Sequence, residues 1–421
     1  MKIKLLAFLP LIAAAFSLPV LRAGTESPTD DALLRKALLW HERAFTVDTH
    51  CDTPFKLLEK GWDIGQYHKT GERGSGCQDL PRMKEGGLDA SFFAVFVGQG
   101  PRTPEGHAKA REKAGAILDA MDAMVGKYPD LCGRALTPAD ARRLEKEGKR
   151  AIFIGMENGY PIGRDPALID SFYRRGVRYV TLAHTADNDI CDSSTDRRDP
   201  EDRGLSDWGK QVVARLNDLG VMIDVSHVSD RSFFDVLSLT RAPLIASHSC
   251  ARALSDHPRN LSDDMLRALK KNGGVIQLCI LDDYVKMPPA NPQREQAFAE
   301  LFKKVDEAYG GWGGIKDQAA RDKLEAEYEA IQARFPQPPV YVKDAVDHID
   351  HIVRLIGIDH VGIGTDFDGG GGLADCRDVT ELKNITVELV RRGYSEEQVA
   401  KIWGGNAMRV MQQVLDLARK K

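Results

Sequence analysis

Apolar, β-branched runs recur along this chain with helical or loop sequence between them, at 44–50, 90–97, 151–155, 178–183, 221–226, 243–247, 274–280 and 360–364. They do not alternate apolar with polar, as a half-exposed strand would. Continuous runs of this kind suit strands buried on both faces of a parallel sheet. Eight such strands with helices between them predict an α/β fold, a (β/α)₈ barrel of the TIM type. The helical periods are plain in places: residues 31–45 form a lead-in helix, 105–127 carry apolar positions at helical spacing, and 208–219 do the same and stop at Gly220. The rhythm breaks once, over 285–342, which is long, polar and contains Gly310-Gly311-Trp312-Gly313-Gly314. We read it as a mostly helical insertion between strands 7 and 8. A separate small domain is the alternative, but the strand pattern resumes afterwards.

Composition changes this picture little. The 421 residues carry a formal charge of −4 with both signs interspersed, so nothing suggests a nucleic-acid partner. The first residues matter more. Lys2 and Lys4 precede a largely apolar stretch to Phe16, and Leu21-Arg22-Ala23 fits a cleavage signal. Residues 1–23 therefore read as a signal peptide, and its removal takes the charge from −4 to −7. That predicts an exported protein, periplasmic or secreted, with 24–421 as a single barrel domain. The sequence predicts no membrane anchor: no second long apolar run, no hydrophobic tail, and no cysteine at the cleavage point. Seven cysteines permit disulfides after export, but the odd number leaves at least one thiol over and their pairing stays open.

The chemistry sits at the ends of the strands. In barrels of this kind catalytic groups gather at the C-terminal ends. The first run ends in His50 and Asp52, the third in Glu157, the fourth in His184, the fifth in His227, the sixth in His248 and the eighth in Asp366. Each has a plainer reading alone: a turn-closing histidine, a carboxylate paired with an arginine, an aspartate opening the glycine-rich turn 367–372. Six of eight strands ending so, with only eleven histidines in the chain, argue that they converge. Imidazole and carboxylate donors in this number suit one zinc, or two if a carboxylate bridges. The reaction class is metal-assisted hydrolysis of a carbonyl compound.

Several motifs then resemble the membrane (renal) dipeptidases, peptidase family M19 of the amidohydrolase superfamily. They are Asp48-Thr49-His50-Cys51-Asp52, Asp79-Leu80-Pro81-Arg82-Met83-Lys84-Glu85-Gly86-Gly87, Gly155-Met156-Glu157-Asn158-Gly159, Asp224-Val225-Ser226-His227-Val228-Ser229 and Ser247-His248-Ser249. His257-Pro258-Arg259-Asn260, Gly364-Thr365-Asp366-Phe367-Asp368-Gly369 and Trp403-Gly404-Gly405-Asn406 extend the likeness. The resemblance implies two Zn²⁺ per subunit: His50 and Asp52 on the first, His227 and His248 on the second, Glu157 bridging. It further implies a metal-bridging hydroxide as nucleophile and Asp366 as its proton shuttle. His184 would polarise the scissile carbonyl, Arg259 would grip the substrate's C-terminal carboxylate, and the protein would be a homodimer. The expected activity is hydrolysis of free dipeptides, among them ones with a D-residue on the C-terminal side. Two other readings are another small amide or lactone as substrate, and a catalytically silent zinc-binding scaffold. Arg259 discriminates the first, since a lactone without a carboxylate would not use it. The complete set of ligands with Asp366 argues against the second.

Overall fold

The structure is a computed structural model that describes residues 30–418 apart from 73, 197, 199–200, 310–314, 316 and the side chains of 306 and 318. The signal peptide expected over 1–23 and the Gly310–Gly314 stretch lie outside the described residues. Nine strands form one parallel sheet: β1 (Val47–Cys51), β2 (Ala90–Phe96), β3 (Cys132–Arg134), β4 (Arg150–Glu157), β5 (Val177–Thr181), β6 (Met222–Asp224), β7 (Ile245–Ser249), β8 (Val275–Leu278) and β9 (Val361–Ile363). Their order is β1-β2-β4-β5-β6-β7-β8-β9, with β3 paired to β4 off that path. The eight apolar runs are the eight strands of a TIM-type barrel. The short β3 was missed because Cys132-Gly133-Arg134 has no apolar run to announce it.

The ring is drawn shut between its first and last strands by individual bonds. Asp366 N donates to His50 O at 3.0 Å and Asp52 N to Phe367 O at 2.7 Å. Asp48, fully buried, adds a side-chain staple by accepting from Thr365 N at 2.8 Å and Thr365 Oγ1 at 2.6 Å.

Helices cover the outside, and their starts follow local rules. Thr103, Thr137 and Asp165 each cap a helix whose next residue is proline, so the missing N–H is one that had no partner anyway. Inside the barrel, Phe92 stacks on Phe153 at 4.5 Å and on Tyr179 at 5.4 Å. Tyr179 fits because a Cβ on Gly155 would lie 2.0 Å from its ring. The helix Asn406–Asp416 brings Met408, Val410, Met411 and Val414 to this same cluster. Between strands 7 and 8 of the ring lie the helices Asp282–Val285, Pro292–Tyr309, Gln318–Arg334 and Val342–Ile356. The middle two, with Ile315 from the connection between them, carry a small core of their own, Leu301, Val305, Ile315 and Leu324. All seven cysteines are unpaired thiols.

Two motifs singled out in the sequence do structural work. Arg82, wholly buried, donates to Asp79 at 2.6 Å, to Asp378 at 3.0 Å and to the carbonyls of Ser75 and Gly76. Trp403 donates to Thr386 Oγ1 at 2.7 Å, whose hydroxyl meets His41 Nδ1 at 2.7 Å, while His41 Nε2 donates to Gly86 O at 2.9 Å.

Candidate active site

Strand alternation and two unusual turns bring the strand-end residues to one mouth. His50 lies at the C-terminal end of β1, Asp52 follows two residues on, and Glu157 is the final residue of β4. His227 and Asp366, just beyond β6 and β9, sit at φ 69° and 63°, in the left-handed region, as do Asn158 at 73° and Asp368 at 65°. These are the only non-glycine residues there among those described, and all are types that tolerate it. Such turns are held by their surroundings and commonly re-aim functional side chains.

Glu157 is the centre. Its Oε2 is 3.5 Å from His50 Nε2, and its Oε1 lies 3.1 Å from His227 Nε2 and 3.5 Å from both His248 Nε2 and His184 Nε2. His50 Nε2 is also 3.5 Å from Asp52 Oδ2 and 3.8 Å from Asp366 Oδ1, and the Nε2 atoms of His227 and His248 are 2.9 Å apart. Three sets of donors thus stand mutually within 4.8 Å: His50, Asp52 and Glu157; Glu157, His184 and His227; His50, His248 and Asp366. All seven side chains expected from the sequence converge, and a buried crowd of this kind suits cations better than it suits itself. His50 Nε2, Asp52 Oδ1 and His227 Nδ1 are buried with no hydrogen-bond partner, where ordinary buried polar atoms find one.

The electrostatics of His184, His227 and His248 agree with ligand duty, whereas His50, against the pull of burial, is raised well above the usual histidine range by Tyr179, Glu157 and Asp52. Burial holds His227 and His248 well below the usual histidine range and lowers His184 to about 3, so all three rings are neutral, with lone pairs to donate. Burial, reinforced by the neighbouring Asp52 and Glu157, pushes Asp366 up to about 8. Arg259 arrives from the loop after β7 and is 2% exposed. It donates to His248 O at 2.9 Å, its Nε has no partner, and its guanidinium lies 5.3 Å from the Tyr284 ring centroid.

The supporting groups were not foreseen. Tyr179 OH contacts His50 Nδ1 at 2.7 Å. Ser247 Oγ contacts His248 Nδ1 at 2.8 Å and donates to Asp224 Oδ2 at 2.6 Å. Asp224 also accepts from Thr181 Oγ1 and from the backbone N–H groups of Ser226 and Ser247. The sequence did hold one clue: Asp48 stands two residues before His50, on the same strand face.

Comparison with known proteins decides the family. The model of the membrane dipeptidases, peptidase family M19, matches residues 34–421.

The chain belongs to that family.

Dipeptidase tcpJ of Claviceps purpurea is 31% identical over 349 residues, covering 82% of this chain and 71% of that protein. Dipeptidase ataJ of Aspergillus terreus is 29% identical over 403 residues, 88% of this chain and 85% of its own length. The crystal structure of the probable dipeptidase PvdM from Pseudomonas aeruginosa superposes with a TM-score of 0.78 at 35% identity, over 92% of this chain and 99% of that one. The protein is a dipeptidase of the M19 metallopeptidases. Among the described residues no helix is long and apolar enough to cross a membrane.

Proposed function

We propose that this M19 dipeptidase holds two divalent cations, zinc by the nature of its donors, and hydrolyses free dipeptides at them, including ones with a D-residue at the C-terminal side. The observation that carries the reading is the division of Glu157, one oxygen toward His50 and the other toward His227 and His248. His50 and Asp52 would hold one cation, His227 and His248 the other, with Glu157 on both. Bound there, such cations supply an acidified water and a Lewis-acid contact to the scissile carbonyl.

Distance alone does not separate His184 from the ligands, since it stands as near to Glu157 as His248 does, at 3.5 Å. Support and exposure separate them. The His248 ring is buried and anchored through Ser247 to Asp224, whereas the His184 side chain is 18% exposed and its Nδ1 meets only Thr185 Oγ1, at 3.2 Å. With Thr185 donating to Nδ1, the Nε2–H of His184 faces the mouth and can donate to the oxygen that gains charge as the carbonyl becomes tetrahedral. Asp366 takes a proton from the attacking water on its carboxylate and passes it to the leaving amine. Arg259, a buried cation with an N–H left over, receives the substrate's C-terminal carboxylate and so fixes its length and direction.

Metal analysis with a ninhydrin assay on a dipeptide panel tests this. Wild-type protein should contain two cations per chain and cleave small dipeptides. Glu157→Gln should lose at least one cation; an unchanged count of two would sink the bridging role. Asp366→Asn should keep both and lose about 10²–10⁴-fold in kcat, and near-normal turnover would end the shuttle assignment.

A further inference from the structure

Across the mouth from Arg259 lies a group that the roles above do not use. Phe96 ends β2, and its ring centroid is 4.5 Å from that of His184. Phe55, three residues beyond Asp52, meets Phe96 edge-on at 5.5 Å. Over both rings stands the Lys113 ammonium, 5.3 Å from the Phe55 centroid and 5.8 Å from that of Phe96, carried by the helix Pro104–Lys127. All three side chains are half-buried, and among the described residues Lys113 makes no ion pair. Burial lowers its pKa, and the charge it feels is that of Asp52.

We propose that Phe55, Phe96 and Lys113 form a subsite for the side chain of the dipeptide's N-terminal residue, and that Lys113 selects a carboxylate there. The inference rests on the substrate direction given above, with the C-terminal carboxylate at Arg259. Arg259 follows β7, and β7 and β2 stand four places apart in a ring of eight, on opposite sides. A dipeptide held at Arg259 with its scissile bond over Glu157 therefore points its first residue at β2. The apolar rings suit the methylene stem of glutamate or aspartate, and the ammonium suits its end. Asp52, the acid whose charge reaches Lys113, is committed to a cation in this reading, which leaves the ammonium available to a carboxylate on the substrate. A lysine lying over aromatic rings is otherwise ordinary surface packing, and the experiment separates the two.

kcat/KM would be measured for L-Glu-L-Ala, L-Ala-L-Ala and L-Lys-L-Ala in metal-loaded wild type, Lys113→Met and Lys113→Glu, with thermal unfolding and metal content to confirm that each variant is folded and loaded. The Glu-Ala to Ala-Ala ratio should fall at least about tenfold in Lys113→Met, the scale of a lost charge-assisted hydrogen bond. It should fall further in Lys113→Glu, which should now favour Lys-Ala. Ratios within twofold of wild type in both variants would overturn the subsite. Arg259→Met run on the same panel keeps the two ideas apart. If it leaves KM for Ala-Ala within twofold, the substrate direction is overturned, and the assignment of the subsite to the first residue goes with it.

Discussion

The buried polar groups near Arg82 and His41 and those at the barrel mouth share one fold but are finished differently. Around Arg82, guanidinium donors meet two carboxylates and two carbonyls. Around His41, each ring nitrogen has one partner and the chain of donors runs unbroken from Trp403 to Gly86. At the mouth, His50, Asp52, His227 and Arg259 each keep a buried atom without a partner. Around Arg82 and His41 the buried polar groups close on one another, whereas at the mouth they leave places open. The first should cost stability when broken, and the second should cost chemistry.

Arg82→Ala is the most damaging break, because it strands Asp79 and Asp378 in the interior. We expect about 3–5 kcal/mol of lost stability in urea titrations, with the metal content of the molecules that fold unchanged from wild type. A loss under about 1 kcal/mol, the level of a surface pair, would erase the contrast.

His41 comes next and is read through pH. Burial lowers it from 6.5 to about 4, so folding favours the neutral ring. Its contribution is complete above pH 6.5 and is lost as the pH falls toward 4, by about 3 kcal/mol. His41→Gln should flatten the fall in melting temperature across that window; an unchanged slope would place the acid sensitivity elsewhere.

Tyr179→Phe should have the smallest effect on stability, within about 1 kcal/mol, because one hydrogen bond is removed and the ring stays. It should still weaken the cation proposed at His50 about 10–100-fold in chelator competition, and Ser247→Ala should do the same at the one proposed at His248. Equal affinity in both variants and wild type would mean that these contacts do not orient the ligands.

Much of the site could be read from the sequence because strand periodicity is local. His50, Asp52, Glu157, His184, His227, His248 and Asp366 each follow an apolar run, and a barrel collects the ends of such runs. What escaped depends on contacts across the ring. Tyr179 reads as one more apolar residue of its strand until Gly155 makes room for it beneath His50. Ser247 and Asp224 lie inside their runs, where a hydroxyl or carboxylate has no visible partner. Lys113 sits on a helix among other charged residues, and only the fold brings it over Phe55 and Phe96. The left-handed turns at His227 and Asp366 were equally hidden, since neither is glycine.

The closure of the ring at Asp366 and Phe367 bears on how the molecule comes into being. His50 and Asp52 are synthesised well before the backbone that fastens them and before the helix Asn406–Asp416 that packs on the barrel's inner cluster. A ribosome must therefore release the chain through Phe367 before the cylinder can lock. Until then the growing chain carries unzipped edges on its first and latest strands, the kind of edge that invites pairing with another chain.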